Sequence, residues 1–242
     1  MKTTLLTLAL AAASFGAVAQ SAQAPQAVPA GKAAAPAPDA APASAFTTMM
    51  AATIAAQNAA TTPADLQANL AQLERAAAAA PTAWEPRYYQ ARAYLKQGFA
   101  GPNDDQKDKL FDQAQTALDG AKKLPGADQA EVFILQAYIY QGRIMVSPMT
   151  RGMVYSGRVA EALAQAKALA PNNPRVYLLL GNDAFYRPSM FGGGPDKAKP
   201  FYEKAKALFA AYRPATALSP TWGAGMTDAM LAKSTADMAS SK

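Results

Sequence analysis

The chain of 242 residues contains neither histidine nor cysteine. The side chains that perform most general-base, nucleophilic and transition-metal chemistry are therefore missing. Carboxylates, Lys, Tyr, Ser and Thr remain. No motif pairs two carboxylates, and neither G-x-S-x-G nor S-x-x-K stands in a usable context. The expectation is a non-enzymatic protein with no catalytic residue, no metal site and no cofactor. Two local clusters could still attract an ion. Gly192, Gly193 and Gly194 are flanked by Arg187, Lys197 and Lys199. Backbone N–H groups of such a loop, ahead of a helix start, can cradle an anion or small ligand. The spacing is not that of a phosphate loop, and a tight turn followed by a helix start explains the same residues. Asn103, Asp104, Asp105 and Asp108 form an acidic stretch. It lacks the alternating acids, central Gly and distant Glu of a calcium loop, and acids at a helix start already stabilise the helix dipole.

The elements that would position these groups begin after an N-terminal export signal. Lys2, the apolar run over residues 5–18 and the small-x-small triplet Ala17-Val18-Ala19 read as a signal peptide over 1–19. That run is shorter than the roughly 20 residues of a membrane span. Without cysteine there is no disulfide framework and no lipid-modified residue. The expectation is an exported, soluble protein, periplasmic or extracellular and not a lipoprotein. Net charge is +6, with basic residues scattered among acids, which argues against nucleic-acid binding. No basic amphipathic segment suggests a membrane surface. Residues 20–44 are dominated by Ala, Pro and Gln, and read as a disordered tether.

From residue 45 the pattern is helical. Phe46, Met49, Met50 and Ile54 share one face. Thr62, Pro63 and Asp65 form a helix start ahead of the Leu66, Leu70, Leu73 stripe. Tyr89, Phe133 and Tyr177 recur 44 residues apart, each following a helix that ends in proline, at Pro81, Pro125 and Pro171. Such a period indicates stacked helical hairpins. No alternation of period two survives, so no strands are expected.

These residues resemble the tetratricopeptide repeat family. Tyr177, Leu180 and Gly181 match its large, large and small positions on a first helix. Ala198, Tyr202 and Ala205 match the small, large and small positions on a second, and Leu163, Ala166 and Pro171 match a second-helix ending. The resemblance covers about 63–212, and the segment 213–242 would cap the stack. The family repeat is about 34 residues, so the surplus is assigned to long loops inside each unit: GFAGPNDDQKDK, RIMVSPMTRGMVYSG and RPSMFGGGPD. Lys96 stands where an aromatic is expected. The second half, with Phe191 before the triple glycine and Pro220-Thr221-Trp222-Gly223 after it, also looks like a group of small exported bacterial repeat proteins.

The resemblance implies an all-α fold, a short superhelical α-α solenoid of hairpins over 45–242, whose first helices line a concave groove. Its register places Gln90, Tyr94, Glu131, Ile134, Tyr138, Arg175, Leu178, Asn182 and Tyr186 along that groove. Tyrosine, amide and aliphatic groups suit a peptide or partner protein. The same residues could instead pack against the long loops or the N-terminal helix. The family's carboxylate clamp is not supported, because Leu178 occupies the Lys position beside Asn182. The reading is a groove that binds protein or peptide, with self-association through the same surface as one form of it. The alternative is a small-molecule (solute) binding protein associated with transport.

Overall fold

The computed structural model describes residues 44–240; the proposed signal peptide and all but the last residue of the tether lie outside the described residues. Nine α-helices and one short 3-10 turn make up the regular structure of that region, and no described residue is in a strand. The helices are α1 (Ala45–Ala59), α2 (Pro63–Ala79), α3 (Glu85–Ala100), α4 (Asp104–Lys122), α5 (Gln129–Val146), α6 (Pro148–Leu169), α7 (Pro174–Tyr186), α8 (Pro195–Ala211) and α9 (Ala224–Ser240). None of these helices is long and apolar enough to cross a membrane.

Helix starts follow local chemistry. Ser44 accepts a hydrogen bond from the Thr47 amide at 3.1 Å and opens α1. Thr62 and Asp65 form a reciprocal capping box at α2, with Pro63 at its first position. Asn103, Asp128 and Asn173 cap α4, α5 and α7 with their side-chain oxygens. Each such cap satisfies an amide that has no acceptor within its own helix.

Consecutive helices pair as hairpins: α1 with α2, α3 with α4, α5 with α6 and α7 with α8. The first helices α1, α3, α5 and α7 also touch one another in succession, whereas α2, α4, α6 and α8 do not. That asymmetry makes an inner row of first helices and an outer row of second ones. Small residues sit where helices approach. Gly98 and Gly142 both face the Phe111 ring, and Gly181 faces Tyr202. Tyr89, Tyr177 and Tyr202 are all buried in the core.

Two expectations are corrected. The 44-residue spacing does not come mainly from long loops. The GFAGPNDDQKDK stretch is mostly helix, and Ser147 alone separates α5 from α6. The surplus lengthens helices, α6 reaching 22 residues. Of the connections inside the hairpins only 187–194 is extended, containing the 3-10 turn Ser189–Phe191. The C-terminal segment also does more than cap the stack. After α8 the chain doubles back over the inner row before α9 packs on α8 and α7. Burial of Leu218 and Trp222 accounts for that course.

The glycine contacts give a direct test. A Cβ on Gly181 would lie 2.4 Å from the Tyr202 ring, whereas one on Gly152 of α6 meets nothing within 4 Å. Gly181→Ala is expected to lower unfolding free energy by about 1–3 kcal/mol. Gly152→Ala is expected to be neutral or to raise it by up to about 1 kcal/mol. Urea denaturation of the two variants checks the contrast.

Candidate functional site

The inner face is organised around one buried ion pair. Glu131 on α5 and Arg175 on α7 are 2 % and 0 % exposed. Arg175 Nη2 donates to Glu131 Oε1 at 2.5 Å, and Nε reaches both carboxylate oxygens at 3.1 Å. The Asn173 amide and the Tyr88 hydroxyl donate to the same carboxylate, at 2.6 and 3.1 Å. Tyr88 in turn accepts from the Trp222 indole N–H at 3.0 Å. Arg175 Nη2 also donates to the Tyr212 hydroxyl, and its guanidinium lies over the Tyr212 ring. Burial pulls the Arg175 pKa down, but the charge and hydrogen bonds of Glu131 more than offset this and hold it above its ordinary value. Residues of α3, α5 and α7 and of the returning segment thereby share one network.

The returning segment is fastened elsewhere too. Tyr89 donates its hydroxyl to the Leu218 carbonyl at 2.9 Å, and Asn58 donates to Thr221 at 3.1 Å. Trp222 stacks on Tyr138, with centroids 5.8 Å apart and planes 12° from parallel. Tyr138 also contacts the Phe99 ring at 4.8 Å.

Beside this segment a cavity of about 510 Å³ remains, within the size range of small-molecule sites. Its walls come from the end of α1, from α3 through Arg92, Lys96 and Phe99, from Tyr138 on α5, and from Trp222 to Met226. No Asp or Glu lines it. Arg92 donates to Gln57 Oε1 at 2.5 Å and lies over the Trp222 ring at 5.5 Å. Lys96 donates to the Gln57 and Ala60 carbonyls. Neither cation is within ion-pair distance of a carboxylate among the described residues. Burial lowers the Arg92 pKa, and the nearby Arg175 charge adds to the effect. Burial, then the charge of Arg92, lowers that of Lys96, and the Asp65 carboxylate acts more weakly in the opposite direction. The first turn of α9 meets the same space, and a helix N-terminus adds positive potential. The cavity is thus lined by aromatic side chains on one side and by cations without an ion-pair partner on another.

Of the residues assigned to the groove, Tyr138 alone lines this cavity. Glu131, Ile134, Arg175, Leu178 and Asn182 are buried in the chain's own interior, where they offer a partner nothing. Asn182 accepts from the Tyr202 hydroxyl at 2.9 Å. Gln90 and Tyr94 are half-buried on α3, and Tyr186 is exposed. What covers the inner face is the C-terminal segment, rather than the intra-repeat loops or the N-terminal helix. The glycine loop is equally occupied. The amides of Gly192, Gly193 and Gly194 donate to the carbonyls of Ser189, Pro188 and Ala184. Arg187 pairs with Asp183, and Lys197 with Asp196. In the acidic stretch Asn103 is a helix cap, and Asp108 forms a two-pronged pair with Arg151. No group of three or more acids that could hold a metal occurs among the described residues.

Sequence reasoning missed Arg92, Lys96, Phe99, Trp222 and Met226 as a group. The usable signal was Lys96, a cation at a position where the repeat pattern calls for an aromatic ring.

No protein-family model and no curated protein matches the chain. Among solved structures it is similar to the HusA haemophore from Porphyromonas gingivalis, at 30% sequence identity and a TM-score of 0.71, over 80% of this chain and 94% of that one. The chain belongs to the family of this haemophore. The neighbour is a binding protein by its name, and its likeness extends across the helical stack rather than over one hairpin.

The ion pair predicts a strong context effect. Arg175→Met leaves Glu131 buried without its cation and is expected to cost about 3–5 kcal/mol. Glu131→Gln/Arg175→Met removes both charges and is expected to recover a substantial part of that loss. A double-mutant cycle by chemical denaturation measures the difference.

Proposed function

We propose that the chain is an exported, non-catalytic binding protein whose cargo is haem or a related porphyrin, held in the inner-face cavity beside Trp222. The helical stack is taken to be of the tetratricopeptide kind, used here as a scaffold for a small-molecule site. The observation that carries this reading is the composition of the cavity. The near-parallel rings of Tyr138 and Trp222 adjoin two cations that form no ion pair among the described residues.

A porphyrin has two properties that such walls match. Its flat aromatic face suits stacking and apolar burial, and its acidic substituents suit the cations. The neighbour's name as a haemophore supports the same cargo. The chain supplies no histidine or cysteine for iron. The donors lining the cavity that could approach a metal, the Tyr138 hydroxyl and the Met226 sulfur, are engaged with each other at 3.5 Å. Burial also raises the Tyr138 pKa, which disfavours a phenolate. The affinity is therefore assigned to the ring faces and the charges.

This is the small-molecule alternative of the two readings open from sequence. The peptide reading needed the nine groove residues to face outward, and five of them are buried.

Haemin and metal-free protoporphyrin IX, titrated against the mature chain, test the proposal by absorbance change and tryptophan quenching. Saturable binding of one molecule per chain is expected. Trp222→Ala and Tyr138→Ala are each expected to weaken it by about tenfold or more, with Trp222→Phe closer to the parent. Retention of porphyrin no better than by an unrelated protein of similar charge overturns the reading, as does equal affinity in both aromatic variants.

A further inference from the structure

Arg92 and Lys96 lie one turn apart on α3, and both line the cavity. Their environment is unusual. The fully buried cation of the inner face is balanced: Arg175 has Glu131, at 2.5 Å. Arg92 and Lys96 have only neutral acceptors, the Gln57 side chain and the carbonyls of Gln57 and Ala60. A cation partly withdrawn from water without an ion-pair partner costs stability, and Arg92, on which no carboxylate is found to act, bears that cost in the empty protein. An incoming carboxylate would remove that cost.

The arrangement is also braced. Gln57 is fully buried. Its amide nitrogen donates to Asn69 Oδ1 at 3.0 Å and to the Tyr89 carbonyl at 2.8 Å. Asn69 donates onward to the Thr53 carbonyl at 2.8 Å. These bonds fix which way the Gln57 amide points, and therefore present its oxygen to Arg92. One Arg92 nitrogen is held by Gln57, and the guanidinium rests on the Trp222 face. A guanidinium has five donors in a rigid fork, so most of its donors are left for a ligand.

Resting on the porphyrin reading, we infer that Arg92 and Lys96 act together as a carboxylate reader, so that the site selects the free acid of its cargo over an esterified ring. Gln57 is the positioning residue that orients Arg92 for this task. The aromatic wall supplies affinity common to both forms, and the cation pair supplies the difference. Charge-assisted hydrogen bonds in a site shielded from water are the stronger kind. The preference is accordingly large and falls as salt rises.

The experiment compares protoporphyrin IX with its dimethyl ester, in one buffer containing the same low concentration of neutral detergent. Parent protein is expected to bind the acid at least about 30-fold more tightly than the ester. Arg92→Gln/Lys96→Gln is expected to bring that ratio close to one while changing ester affinity less than about threefold. Gln57→Ala, which frees Arg92, is expected to reduce the ratio by about tenfold or less. The thermal midpoint of the empty Arg92→Gln protein is expected to equal or exceed that of the parent, because an unbalanced charge has been removed. Equal binding of acid and ester by the parent overturns the inference while leaving the porphyrin reading intact. A double variant that loses both ligands equally, or whose midpoint falls with the ratio unchanged, assigns these cations a structural role and also overturns it. Failure of either porphyrin to bind the parent removes the reading on which the inference rests.

Discussion

The Glu131–Arg175 pair is the constraint on which the inner face depends. Two full charges are removed from water there, and only close geometry with further hydrogen bonds makes that tolerable. Every supporting partner comes from a different part of the chain: Tyr88 from α3, Asn173 from the turn before α7, and Tyr212 from the end of α8. Placing the pair therefore fixes the spacing of three first helices and anchors the start of the returning segment. Trp222 is tied into the same network through Tyr88. Its indole plane, which forms a wall of the cavity, is held by a hydrogen bond at one edge and by stacking on Tyr138.

A short stack of hairpins presents an inner face with large exposed side chains, and something must cover it. Here the chain covers itself. Leu218 and Trp222 enter the core, while Tyr89 and Asn58 take hydrogen bonds to the segment that carries them. The cover is incomplete at the N-terminal side of the face, between the end of α1, α3 and the start of α9. A surface that would otherwise suit an extended partner is thereby reduced to a cavity of small-molecule size.

The helical class, the hairpin period and several helix starts were legible in the sequence because they rest on local chemistry. The Thr62–Asp65 capping box and the recurrence of Tyr89, Phe133 and Tyr177 need no knowledge of distant contacts. The interior of each hairpin was less legible. Prolines and charges in GFAGPNDDQKDK and in the stretch around Pro148 look like loops, yet Pro148 simply occupies the first position of α6. The groove register failed for a different reason. It placed Glu131 and Arg175 on the inner face and could not say that each is the other's partner, or that the C-terminal segment would bury them. Lys96 looked like a defect in the repeat because packing patterns describe what a core needs, and this side chain lies at a cavity wall instead.

Charge placement on this face thus separates two uses of one physical cost. Where the chain supplies its own carboxylate, as Glu131 does for Arg175, the buried cation joins helices and is unavailable to anything else. Where it supplies only neutral oxygens as hydrogen-bond partners, as at Arg92 and Lys96, a smaller desolvation is met by no ion pair. The fold tolerates this because the cations are half-buried, and because the buried Gln57 and Asn69 hold Arg92 in a defined position. On the proposed reading, an acidic cargo would restore on binding the stability that the empty cavity costs, so that affinity and the stability of the loaded protein would rise together. Replacing Gln57 with a carboxylate would balance Arg92 permanently and remove the reason for an acidic cargo to bind there.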